Sequence, residues 1–198
     1  MRAMSPCSNF RALRKISSIC CISLSLLIGT PAWAEKADRN KPMNIEADNL
    51  DHDELKQLSI FSGKVVATKG TIVLRGSRLE VRQDPDGFQY GILTAEPGRR
   101  AFFRQKREGV NEWMEGESER IEYDSKADRI VLLNKADFRR YRGTVLSDQM
   151  TGQRIVYENL SDQFTVDGQL SGGKPHEGAP SGRVRAVLTP RSTDEAGK

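Results

Sequence analysis

The chain has 198 residues, with 31 Lys+Arg against 27 Asp+Glu, a net charge of +4 and 3 cysteines. Arg2, Arg11, Arg14 and Lys15 are the only charges in residues 1–34, so the remainder holds 27 Lys+Arg against 27 Asp+Glu. A nucleic-acid binder carries its basic excess on the folded part, so this balance argues against nucleic acid as a partner. Cys7, Cys20 and Cys21 also fall within 1–34, which leaves the remainder without a disulfide or a thiolate metal site.

The basic start, an apolar run from Ile16 to Ile28 and the small-x-small triplet Ala32-Trp33-Ala34 read as a secretory signal peptide over residues 1–34, cut after Ala34. An apolar run of about 13 residues is short of the roughly 20 that span a bilayer, which opposes an uncleaved anchor. A lipid-modified Cys20 or Cys21 is opposed because the apolar stretch continues beyond them to Ile28. Residues 35–41 are charged and aperiodic and read as a flexible arm. Residues 42–190 are long enough to bury one core without disulfides and read as one domain.

From Met43 the hydrophobic period is two. Met43, Ile45 and Ala47 alternate with Asn44, Glu46 and Asp48; the same period returns at Phe61, Gly63, Val65 and Ala67, at Ile72 and Leu74, and at Leu79 and Val81. Such runs are half-buried strands. No stretch carries a helical period beyond one or two turns, so the fold class is all-β. Asp84-Pro85-Asp86-Gly87 has the Pro and Gly positions of a type I turn. Glu96-Pro97-Gly98, Arg107-Glu108-Gly109 and Asp124 to Asp128 are further breaks, each expected to be a hairpin connection.

A weak repeat links the strands: Leu79-Glu80-Val81, Ile121-Glu122-Tyr123 and Ile155-Val156-Tyr157 are each followed, after four residues, by Asp86, Asp128 and Asp162. Repeated strand–turn units stack into one extended core. Ser171 to Gly182 is a Gly/Pro-rich loop. Beyond it Val184, Ala186 and Leu188 alternate with Arg183, Arg185 and Val187 in a last strand that Pro190 stops, and residues 191–198 read as a disordered tail.

Catalytic chemistry finds no pattern to stand on. Glu46 with Asp48, and Glu117 with Glu119, share strand faces, but those faces lie opposite the apolar set and are wet, where acids keep ordinary pKa values. The acidic run Asp48 to Glu54 lacks the glycine and the spaced glutamate of a calcium loop and reads as a polar hairpin loop with an exposed His52. The residues call for no cofactor and no metal. What carries function is the apolar face itself: Met43, Ile45, Phe61, Val65, Ile72, Leu74, Leu79, Val81, Phe103, Ile121, Tyr123, Leu132 and Phe138 are expected to point into a rolled sheet. That interior is either a closed, side-chain-filled core or a partly open groove for acyl chains, since both require the same residues facing inward.

Ile45-Glu46-Ala47-Asp48, Phe61-Ser62-Gly63, Lys69-Gly70-Thr71-Ile72, Glu115-Gly116, Ile121-Glu122-Tyr123-Asp124 and Val187-Leu188-Thr189-Pro190, in this order and spacing, resemble the LptA (OstA-like) family, the periplasmic bridge proteins of lipopolysaccharide export. The resemblance spans about residues 42–190. It implies a twisted, partly open β-jellyroll of many short antiparallel strands, without enzymatic activity, whose interior holds the lipid A acyl chains of lipopolysaccharide. By the same resemblance Met43, Ile45, Phe61, Phe103, Ile121 and Tyr123 face the lipid. The implied partners are lipopolysaccharide, an inner-membrane-anchored export component, the N-terminal domain of the outer-membrane translocon, and further copies of the chain head to tail. Two other functions stand beside this one. An inner-membrane-tethered assembly factor of the same system requires an uncleaved Ile16–Ile28, and a periplasmic glycan hydrolase requires two acids converging in a cleft.

Overall fold

The computed structural model describes residues 38, 41–107, 110–169 and 182–190. The signal peptide expected at 1–34, all of the 35–41 arm but Asp38 and Lys41, the Ser171 to Gly182 loop except its last residue, and the 191–198 tail lie outside the described residues.

The described chain forms twelve strands: β1 (Asn44–Glu46), β2 (Asn49–Asp53), β3 (Leu58–Lys69), β4 (Ile72–Gln83), β5 (Gln89–Thr94), β6 (Ala101–Lys106), β7 (Glu112–Ser118), β8 (Arg120–Asp124), β9 (Arg129–Arg142), β10 (Val145–Glu158), β11 (Gln163–Asp167) and β12 (Arg185–Leu188). No helix occurs among the described residues. Every pairing is antiparallel, in one twelve-stranded sheet that is not closed into a barrel. This is the all-β class expected from the alternation and the partly open architecture that the resemblance implies.

The organising feature is that β3, β4, β9 and β10 are long and each pairs with two short strands laid end to end. Along β3, β2 pairs with Leu58–Ser62 and β1 with Val66–Thr68. Along β4, β5 takes the C-terminal half and β6 the N-terminal half. Along β9, β8 takes the start and β7 the end. Along β10, β12 pairs with Asp148–Thr151 and β11 with Arg154–Glu158. The sheet is therefore two half-sheets, β2-β3-β4-β5-β8-β9-β10-β11 and β1-β3-β4-β6-β7-β9-β10-β12, that share their four long strands.

Between the halves the long strands bend. The β3–β4 register shifts between Ser62 and Val65, where Gly63 (φ 81°) and Lys64 (φ 44°) are left-handed. In β9 the bend falls at Asn134 (φ 63°) and Lys135 (φ 51°), and β10 shifts register between Gly152 and Arg154. Bulges of this kind turn a strand and increase its twist, so each long strand doubles back and lays one half-sheet against the other.

Two expectations are corrected here. Asp48 to Glu54 is no hairpin loop: Asn49–Asp53 is β2, paired residue for residue with β3, with its turn at Glu54–Gln57. The polar composition belongs to an edge strand, where charged residues are tolerated and oppose unwanted pairing. Glu96-Pro97-Gly98 is no hairpin either, because β5 and β6 do not pair with each other; both lie along β4, and the break carries the chain across the bend. A turn signal marks where a strand stops and is silent on whether the next one returns beside it.

Candidate functional site

Residues directly opposite each other in neighbouring antiparallel strands project from the same face, so the registers read out rows that run across the sheet. On the inner face of the first half-sheet one row is Leu50, Phe61, Leu79, Leu93, Ile121, Leu132, Ile155 and Val166. Beside it runs His52, Ser59, Val81, Gly91, Tyr123, Ile130, Tyr157 and Phe164. On the second half-sheet the facing row is Ile45, Ala67, Leu74, Phe103, Gly116, Phe138, Met150 and Ala186. With strands about 4.8 Å apart, a row crossing eight of them is about 34 Å long.

All thirteen residues expected from the sequence reach this interior. Phe61, Leu79, Ile121 and Leu132 lie in the first row, Val81 and Tyr123 in the second, and Ile45, Leu74, Phe103 and Phe138 in the third. Val65, Ile72 and Met43 pack with them. The middle of each row is filled: Leu93 and Ile121 in the first are 1% exposed, Tyr123 in the second 3% and Phe103 in the third 0%. Gly116 shows how closely the halves approach, because a Cβ there would lie 2.7 Å from Leu132 Cδ1 on the facing sheet. At the ends the rows open: Met43, Ile45 and Phe61 are partly exposed, Leu50 on β2 is 56% exposed and Leu188 on β12 is 68% exposed.

Leu93, Met114, Ala101 and Ala136 are equally buried but were not singled out in the sequence. Their alternation is present, as Gly91/Leu93 and Met114/Gly116/Ser118, but small residues stand where apolar ones are sought. Gly116 is small because Leu132 occupies its space.

The side of the roll opposite the bend, its mouth, is lined differently. Here the turn ends of the two half-sheets meet through side chains, and among the described residues no backbone hydrogen bond crosses. Lys69 Nζ lies 5.7 Å from the Tyr123 ring centroid and the Arg140 guanidinium 5.3 Å from that of Phe164. Arg107, after β6, bridges Glu112 of its own half-sheet (2.8 Å) and Asp162 in the β10–β11 turn of the other. Tyr157 donates its hydroxyl to Asp162 and Asn159, both at 3.0 Å. Burial raises the Tyr157 phenol far above its ordinary value, with the Asp162 charge adding to it, so the group remains a protonated donor. Burial also works against charge on Glu112, but the hydrogen bonds from Arg107 and Arg142 outweigh it and hold the carboxyl below its ordinary 4.5. At the N-terminal side the Asp38 carboxylate accepts the Thr71 amide (2.8 Å) and the Thr71 hydroxyl, tying that end of the chain to the β3–β4 turn.

Chemically this interior offers burial. Each methylene it removes from water contributes about 0.8 kcal/mol. Of the acids that share a strand face, Glu117 pairs with Arg100 and Arg139 and Glu119 with Lys135. No group of three or more His, Cys, Asp or Glu among the described residues is placed to hold a metal ion.

Comparison with known proteins adds four findings. Residues 44–163 match the family described as LptA/(LptD N-terminal domain) LPS transport protein. The chain is 26% identical over 160 residues to the lipopolysaccharide export system protein LptH of Pseudomonas aeruginosa, covering 81% of this chain and 86% of the relative. It is 28% identical over 177 residues to LptA of Escherichia coli, with 89% of this chain and 86% of the relative covered. Among solved structures, the crystal structure of Pseudomonas aeruginosa LptH superposes with a TM-score of 0.65 at 23% identity, covering 77% of this chain and 99% of that one. That structure is described as the LptA-homologous periplasmic component of the lipopolysaccharide transport device.

Proposed function

This chain belongs to the LptA/LptD N-terminal domain family of LPS transport proteins, and from that premise we propose that it is a non-enzymatic lipopolysaccharide carrier whose acyl chains lie along the inner rows of the roll. The observation that carries the reading is the direction of those rows. They run across the strands from the β1/β2 edge to the β11/β12 edge, so the apolar surface is a track leading from one end of the molecule to the other.

The ends of that track are edge strands. Among the described residues, β1 and β2 on one side and β11 and β12 on the other have no outer strand beside them, and such edges accept further strands. With every neighbouring pair antiparallel and eight strands across, the first and last run in opposite directions. A second copy placed end to end therefore pairs antiparallel and prolongs the rows. Two unlike edges give an open chain of copies and not a closed dimer. In this reading the chain works in the periplasm as a bridge from inner to outer membrane. An inner-membrane-anchored export component meets one end and the N-terminal domain of an outer-membrane translocon meets the other, each by the same strand addition. Met43, Ile45 and Phe61, the partly exposed members of the set, make the first contact with lipid, and the buried members line the path between the ends.

Native mass spectrometry of the protein purified from the periplasm tests the function. A bound mass equal to lipopolysaccharide is expected; a protein that emerges free of lipid from cells making lipopolysaccharide contradicts the proposal.

A further inference from the structure

The inner rows leave no gap between the half-sheets at their centre. Leu74, Phe103, Ile121 and Leu132 are each at most 2% exposed, and Gly116 has no room even for a methyl group. Acyl chains enter this space only if the half-sheets part, and the two long sides of the roll differ in how readily they do so. At the bend, β3, β4, β9 and β10 pass without interruption from one half-sheet to the other. At the mouth, the halves are joined by Lys69 against Tyr123, Arg107 with Asp162, and Arg140 against Phe164.

We propose that the mouth is the route by which lipid enters, and that the Arg107–Asp162 pair is the bolt that holds it shut. The proposal rests on the carrier reading above. Its force lies in what each group keeps when the mouth opens. Arg107 retains Glu112 on its own half-sheet, 2.8 Å away, and Asp162 retains the Tyr157 hydroxyl on its own, at 3.0 Å. Arg140 retains Asp148 at 3.4 Å, and Asp148 also accepts the Thr189 amide. None of these three side chains is left buried without a polar partner, which is the circumstance that makes breaking an ion pair expensive. Opening therefore gives up the Arg107–Asp162 pair and the ring contacts, while the apolar faces it uncovers are covered again by the incoming chains. The hinge is already present in the left-handed residues Gly63, Lys64, Asn134 and Lys135. Asp162 itself is left-handed (φ 58°) in the four-residue turn between β10 and β11.

The chain has no cysteine beyond Cys21, so a double variant Arg107→Cys/Asp162→Cys, made without the leader, carries a single reactive pair. Uptake of lipid A from detergent micelles is followed by native mass spectrometry for this protein reduced, and for the same protein joined by a short bis-maleimide. The reduced form is expected to load and the joined form to stop loading, although both keep their edge strands. The single variant Asp162→Asn is expected to load roughly tenfold faster than the parent, the factor that loss of one charge-assisted hydrogen bond applies to an opening equilibrium. Equal loading by the joined and reduced forms overturns the proposal and places entry at the edges. If the parent chain takes up no lipid A, the carrier reading fails. Hydrogen exchange then decides the bolt alone: Asp162→Asn must speed exchange at 69–72, 104–107 and 161–164 but not at the bend, and unchanged rates there overturn it.

Discussion

Glu112 is the residue where chemistry and packing can be read separately. Its carboxylate sits on the inner side of β7, hydrogen-bonded to Arg107 at 2.8 Å and to Arg142 at 3.2 Å, and it is held below the ordinary glutamate value. A carboxyl with a depressed folded-state pKa contributes stability that is fully present above the unfolded value of 4.5 and is lost as pH falls through the lower folded value. Glu112→Gln is therefore less stable than the parent near neutrality. In urea titrations repeated from about pH 6 to about pH 3 the gap between the two must narrow, because only the parent loses this contribution. A gap that stays constant contradicts the ion-pair account. Gly63 makes a second residue-scale prediction. Its φ of 81° is left-handed and a Cβ there would lie 2.4 Å from Asp48 Oδ2. Gly63→Ala should destabilise by about 1–2 kcal/mol from the backbone alone; denaturant midpoints measure it, and no loss means that the bend tolerates a side chain.

At the scale of elements, the row geometry fixes how a junction between copies must register. Continuing the rows from β12 to the β1 of the next copy sets Ala186 beside Ile45 on the inner face and Arg185 beside Glu46 on the outer one. Continuing them from β11 to β2 sets Val166 beside Leu50. An opposite-charge cross-strand pair contributes roughly 0.2–1 kcal/mol and a like-charge pair opposes by a similar amount. Arg185→Glu or Glu46→Arg should each weaken self-association by up to about thirtyfold, and the two together should restore it. Sedimentation over a concentration series reads this, and a double variant no better than the singles rules out that register. Legibility from sequence also divides at this scale. The strand runs were readable because Ile121/Tyr123, Leu79/Val81 and Leu74 keep a clean period of two. Which runs belong to one strand was not. In β4 the inward set moves from even positions at Leu74 and Gly76 to odd ones at Leu79 and Val81, and in β10 from Met150 and Gly152 to Ile155 and Tyr157. A one-residue slip reverses the face, so each bulge looks from the sequence like the end of one strand and the start of another. The mouth was not legible at all, since Arg107 and Asp162 are 55 residues apart and meet only once the long strands have folded over.

For the whole molecule, the central claim is that function resides in an apolar track running from edge to edge, reached from within and not from the outer faces. The interior set was legible because burying acyl chains and burying a core demand the same side chains inward; what the sequence could not show was that the set is continuous across every strand and closed at rest. The most direct measurement is photo-crosslinking in cells at paired positions one residue apart, Ile45 against Glu46 at the first edge and Val166 against Thr165 at the last. Adjacent residues of a strand face opposite sides. The account predicts that Ile45 and Val166 trap lipopolysaccharide at both ends of the track while Glu46 and Thr165 do not; equal trapping at inner and outer positions contradicts it.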